Sequence, residues 1–138
     1  MKKGFVQFLN PEKLIKNTAF SQVAVISGST KTVYIGGQNS VDSSGNIIAK
    51  GDIKGQAEQI LANLQIALEA GGAKFENLIK WNVYVVQGQS PREGFEVFQK
   101  VLGGLVNPPL ITMNFVAGLA NPEFLMEIDA IAVVPEEK

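Results

Sequence analysis

The sequence predicts an α+β fold, and three observations carry that reading. Short β-branched and aromatic runs, bounded by glycine, proline and asparagine, fall at both ends of the chain. Two segments with helical periodicity lie between them, each with start and stop signals. The resulting order, β-β-(β)-α-β-α-β-β, lacks the regular βα alternation of a doubly wound sheet. At 138 residues, with no repeat, low-complexity tract or shift in composition, residues 1–138 read as a single domain able to bury its own core.

The elements follow in order. "QVAVISG" (22–28) and "TVYIGGQ" (32–38) flank the turn residues "GSTK" and are expected to pair as a hairpin. "VDSSGNII" (41–48) carries a turn at Asp42 to Gly45. Asp52 suits a helix N-cap, where a carboxylate accepts an orphan backbone N–H. Ile53, Ala57, Ile60, Leu61, Leu64 and Leu68 then form one apolar stripe, which Gly71 and Gly72 terminate. "LIKWNVYVV" (78–86) is the next strand. Ser90 and Glu93 have capping-box spacing, and Pro91 sits at the first helical position, where its missing N–H costs nothing. Phe95, Phe98, Val101 and Leu102 give that second helix its buried face, and Gly103 and Gly104 end it. "LITMNFVAG" (110–118) and "EFLMEIDAIAVV" (123–134) are the last two strands.

The strands are apolar on both faces. In 124–134, Phe124, Met126, Ile128, Ala130, Ala132 and Val134 alternate with Leu125, Glu127, Asp129, Ile131 and Val133. In the strand before it, Ile79, Trp81, Val83 and Val85 share one face, and Tyr84 and Val86 lie on the other. Two helices cover one face of such a sheet. The other is expected to pack against further subunits, because an exposed apolar patch of that size favours association.

Absent residue types narrow the chemistry. With no cysteine there is no disulfide, thiol nucleophile or thiolate zinc site. With no histidine, a Ser-His-Asp triad and an imidazole metal cage are both excluded, and no Asp-rich calcium loop replaces them. Acid–base work falls to Asp, Glu, Lys, Tyr, backbone groups or water. A net charge of −1, with Arg92 as the only arginine, offers no positive stripe for nucleic acid. No apolar run approaches the roughly 18 residues of a membrane span. The apolar stretch of "MKKGFVQFLNPEK" is too short for a signal peptide, so a cytoplasmic location is expected.

"AFSQVAVISGSTKTVYIGGQ", "GDIKGQAEQILANLQIALEAGGAKFENLIKWNVYV" and "NPPLITMNFVAGLANPEFLMEIDAIAVV" together resemble the YjgF/RidA family of reactive-intermediate deaminases. The resemblance spans residues 19–134. It implies a chorismate-mutase-like fold, two helices on one face of a mixed sheet, and a homotrimer with small-molecule clefts between subunits. It also implies hydrolysis of enamine and imine intermediates such as 2-aminoacrylate without metal or cofactor.

The same resemblance assigns the site residue by residue. Glu127 matches the family's acidic residue on the last strand, which orients the attacking water. Gly37 matches a backbone contact to the ligand, and Gly36 stands where serine is common. Phe20 replaces a frequent tyrosine, and Gln99 stands near a position often held by asparagine. In the family a Pro-x-Arg-Ser-like segment grips the substrate carboxylate, as a planar guanidinium does well. Here Pro109 and Leu110 are followed by Ile111 in the arginine position, Thr112 in the serine place, then Met113. The resemblance therefore implies a divergent branch whose ligand carries little negative charge. Read as residues alone, Ile111 is first a packing side chain, a role compatible with lining the cleft, and Gly36 with Gly37 is first a strand bulge or bend. The leading expectation is a metal-free hydrolase. A non-catalytic trimer that binds a metabolite or a protein is the alternative, and the endoribonuclease or translation-inhibitor role attached to the family name sits poorly with the charge balance.

Overall fold

The computed structural model describes residues 2–137. Strands β1 (Phe5–Leu9), β2 (Val23–Ser27) and β3 (Thr30–Gln38) precede helix α1 (Ile53–Ala70). A short 3-10 turn (Phe75–Asn77) leads into β4 (Leu78–Val86), followed by α2 (Pro91–Leu102), β5 (Leu110–Val116) and β6 (Met126–Pro135). The main sheet has the order β3-β6-β4-β5, with β6 antiparallel to both neighbours and β5 parallel to β4 across the α2 crossover. This is the mixed sheet expected.

Alternation along β6 sorts its side chains by face. Met126, Ile128, Ala130 and Ala132 are buried, while Glu127, Asp129 and Ile131 are only partly covered. The buried set packs with Trp81, Val83 and Val85 of β4 under Ile53, Ala57, Ile60, Leu64 and Leu68 of α1 and Val97, Phe98 and Leu102 of α2. Both helices thus cover one face. Each fully buried Leu or Ile contributes about 1.5–3 kcal/mol relative to exposure, so the α1 stripe is a principal source of stability. A shift in the β4–β6 register between Leu78 and Lys80 alters one expected assignment. Leu78, rather than Ile79, is the buried residue at the start of the β4 core row.

The end of α1 follows its sequence signal closely. Gly72 has φ +76, and its N–H donates to the Glu69 carbonyl while the Ala73 N–H donates to the Leu68 carbonyl. This pattern satisfies the last helical carbonyls with glycine in the left-handed region. The helix starts differ from expectation. Asp52 and Ser90 occupy the N-cap positions, yet neither side chain makes a capping hydrogen bond, so the Ser90–Glu93 box does not form.

The expected hairpin also changes partners. β2 pairs with β1 as a two-stranded ribbon, and β3 pairs with β6. Gly28, at φ +75 and close against Lys3, bends the chain from one sheet into the other. The turn signal marked where the chain bends, but not which strand would take its hydrogen bonds. The turn at Asp42 does form: its Oδ1 accepts the N–H groups of Ser44 and Asn46, each at 2.9 Å, beside a lone bridge between Val41 and Ile47.

Candidate functional site

The β4–β5 register sets Ile111 beside Trp81 and Met113 beside Val83, on the helix-covered face. Pro108 and Pro109 hold the entry to β5 in place. The Ser21 hydroxyl donates to the Pro108 carbonyl at 2.6 Å, and the Ser21 N–H to the Pro109 carbonyl at 3.3 Å. These two bonds draw Phe20 across to β5. The result is a cavity of about 440 Å³ walled by Phe20, Trp81, Phe95, Phe98, Ile111 and Met113, with Gln99 exposed on α2 at its rim. That volume suits a small molecule. No charged side chain lines it.

Trp81 is 2% exposed and stands edge-on to Phe98, with ring centroids 5.1 Å apart and planes at 86°. Its Nε1–H is the one buried side-chain polar group without a hydrogen-bond partner among the described residues. An unpaired buried donor costs about 1–3 kcal/mol.

Glu127 lies elsewhere. Alternation places it on the uncovered face, directly across from Tyr84 of β4. The β3–β6 register slips between Ile35 and Gln38, so Gly36 and Gly37 form an irregularity in β3. A Cβ on Gly37 would collide with the Glu127 carboxylate, whereas one on Gly36 would meet open space. The bulge and the close approach are therefore one feature. Asn39 Nδ2 donates to Glu127 Oε1 at 3.2 Å and to the Met126 carbonyl at 3.3 Å. Asn63 of α1 in turn donates to the carbonyls of Asn39 and Val41, both at 3.0 Å, and accepts from Gln59 at 3.0 Å. A helix thus steadies the loop that holds the carboxylate.

The same face carries Asn82, whose amide donates to Asp129 Oδ1 at 2.8 Å within one chain. The Asp129 charge, then burial, a hydrogen bond to Asp129 and the Glu127 charge push the Tyr84 phenol above its ordinary value. Among the described residues, no three carboxylate, imidazole or thiol groups converge to hold a metal.

The expected site therefore divides into two groups. Phe20, Gln99, Ile111 and Met113 share the cavity. Gly36, Gly37 and Glu127 meet on the opposite face, and one chain does not bring the two groups together. Trp81, Ser21, Asn39 and Asn63 were not foreseen as site residues. Trp81 was legible as a large aromatic on a core face, without a sign that its N–H would be unpaired. The two asparagines carry no local motif for these contacts, because the bonds they donate join residues more than twenty positions apart.

Two helices over one face of a mixed sheet, with a small apolar cavity beside the parallel edge strand, define the class: a chorismate-mutase-like α+β fold. Residues 12–134 match the family described as Endoribonuclease L-PSP. The chain belongs to that family, the Rid/YjgF group. A RutC family protein of Pyrococcus horikoshii is 34% identical over 100 residues, covering 72% of this chain and 77% of the relative. The 2-iminobutanoate/2-iminopropanoate deaminase of Rattus norvegicus is 30% identical over 115 residues, covering 83% and 80%. Among solved structures, the Rid family protein YyfB of Yersinia pestis superposes with a TM-score of 0.80 at 27% identity, covering 92% of this chain and 97% of that one.

Proposed function

We propose that this chain assembles as a homotrimer and hydrolyses enamine- or imine-type intermediates of low negative charge, without metal or cofactor, in the cytoplasm. Support for the reaction class comes from relatives named 2-iminobutanoate/2-iminopropanoate deaminase. The observation that carries the reading is the placement of Glu127 against the Gly37 backbone, on the face opposite the cavity. In a ring of copies, the Glu127 group of one subunit meets the cavity of the next, and each interface holds one complete cleft.

In that cleft an enamine first takes a proton on carbon and gives one up from nitrogen, and so becomes an imine. Glu127 accepts a proton from water as the water oxygen bonds to the imine carbon. That proton passes to nitrogen to give a carbinolamine, the hydroxyl proton follows it as the C–N bond breaks, and ammonia leaves behind a carbonyl product. A backbone amide near Gly37 steadies the developing charge. Ile111 and Phe20 shape the ligand end of the cleft. Without a guanidinium, a carboxylate there gains no charge-assisted hydrogen bond, worth about 1.5–3 kcal/mol.

The test is keto-acid release from 2-aminoacrylate generated in situ. The wild type is expected to be slow, Ile111→Arg faster under the same generating flux, and Glu127→Gln inactive but still trimeric. Strong wild-type activity on the carboxylate would overturn the altered substrate range, and unchanged kinetics in Glu127→Gln would overturn the role of the acid. A second reading, a non-catalytic binding trimer, draws on the apolar Ile111 and Phe20, and ligand binding without turnover of any imine would favour it.

A further inference from the structure

One residue of the cavity wall, Trp81, carries a buried polar group that the proposed reaction does not use. Trp81 Nε1–H is buried and unpartnered, although native proteins pair nearly all such donors. Its ring cannot turn freely to find a partner, since Phe98 is set edge-on against it and Ile111 lies beside it on β5. The rest of the wall is mostly apolar and aromatic, with Asn17, Thr18 and Gln99 as its polar side chains and no charge. An ionised ligand would lose its hydration there without gaining a counter-charge.

We propose that the cavity takes a neutral, largely apolar molecule bearing one hydrogen-bond acceptor, a ketone, amide or imine, and that Trp81 Nε1–H donates to that acceptor. Entry displaces lining side chains rather than a bound water, because the N–H is closed off from solvent. The unbranched Met113 and Gln99, with several rotatable bonds each, are suited to such movement. The acceptor satisfies a donor that the protein leaves unpaired, and the apolar body fills the aromatic wall. Trp81 thereby becomes the specificity-determining residue of the cavity. This inference rests on the cavity assigned above to the reaction, but not on turnover, so loss of hydrolysis with ketone binding intact would overturn the reaction alone.

Three probes of similar shape separate the contributions: acetophenone, its hydrocarbon isostere α-methylstyrene, and benzoate. Trp81 is the only tryptophan, so a single indole N–H resonance in a nitrogen-15 spectrum reports on the site. Acetophenone is expected to bind saturably and move that resonance downfield, about three- to tenfold tighter than α-methylstyrene, the span of one neutral hydrogen bond. Benzoate is expected to bind more weakly than acetophenone. Trp81→Phe, followed by ligand-detected saturation transfer, is expected to keep α-methylstyrene binding and bring the two neutral probes within about twofold. Equal affinity of ketone and hydrocarbon for the wild type would overturn the proposal, as would tighter binding of benzoate or no saturable binding of acetophenone. The wild-type resonance decides the matter even if the variant fails to fold.

Discussion

Asn63 is a small residue with a wide reach. Its amide N–H groups secure the carbonyls of Asn39 and Val41, and Asn39 in turn secures Glu127. Asn63→Ala is expected to destabilise the fold by about 1–3 kcal/mol, the cost of leaving part-buried carbonyls unpaired, and urea denaturation measures it. Tyr84 provides a second residue-scale test. Its phenol is held above the usual value first by the Asp129 charge, so the proton is bound more tightly in the folded state than in the unfolded one. That contribution is complete below the ordinary tyrosine value of 10.0 and is lost as pH rises through the folded value. Asp129→Asn is expected to bring the phenolate absorbance of Tyr84 in at lower pH than in the wild type. The roles of single residues were only partly readable in advance. The acid among apolar neighbours at 125–131 drew notice to Glu127, because a part-covered carboxylate needs partners. The partners themselves come from α1 and the β3–α1 loop, and no spacing rule points to them.

At the scale of elements, glycines offer a set of matched substitutions. Gly37→Ala puts a methyl where the Glu127 carboxylate sits, and that side chain can swing to another rotamer. Stability is therefore expected to stay near wild type while imine turnover falls. Gly36→Ala meets open space and serves as the control. Gly72→Ala is expected to show the reverse pattern, with activity kept and stability lowered by about 1–2 kcal/mol, since its φ of +76 belongs to the left-handed region. Thermal unfolding and a turnover assay on the three variants separate the two effects. The Asp42 turn titrates in the opposite sense to Tyr84. The Asn46 backbone N–H leads the hydrogen bonds that lower its carboxyl below 3.8, so its contribution is present above that value and fades as pH falls through the folded one. Periodicity made α1, α2, β4, β5 and β6 legible, because apolar spacing is a local property. Strand partners are not local. No strand is expected over Phe5–Leu9 from the sequence, and without β1 the only neighbour left for β2 is β3.

At the scale of the molecule, the uncovered sheet face carries Tyr34 at 77% exposure, with Ile131 nearby on the neighbouring strand. A face of this kind is expected to be covered by other copies, and sedimentation at about micromolar concentration is expected to give a trimer. A stable monomer would also remove the proposed cleft, because the cavity and Glu127 lie on opposite sides of one sheet. That separation has a genetic consequence. Two inactive proteins, one lacking the acid through Glu127→Gln and one with its cavity blocked by Ile111→Trp, each keep the half that the other has lost. Unfolded together and refolded as mixed rings, they are expected to recover activity at about a quarter of their interfaces, whereas either alone recovers none. Rescue between two dead parents is a result that a site built within one chain would not give.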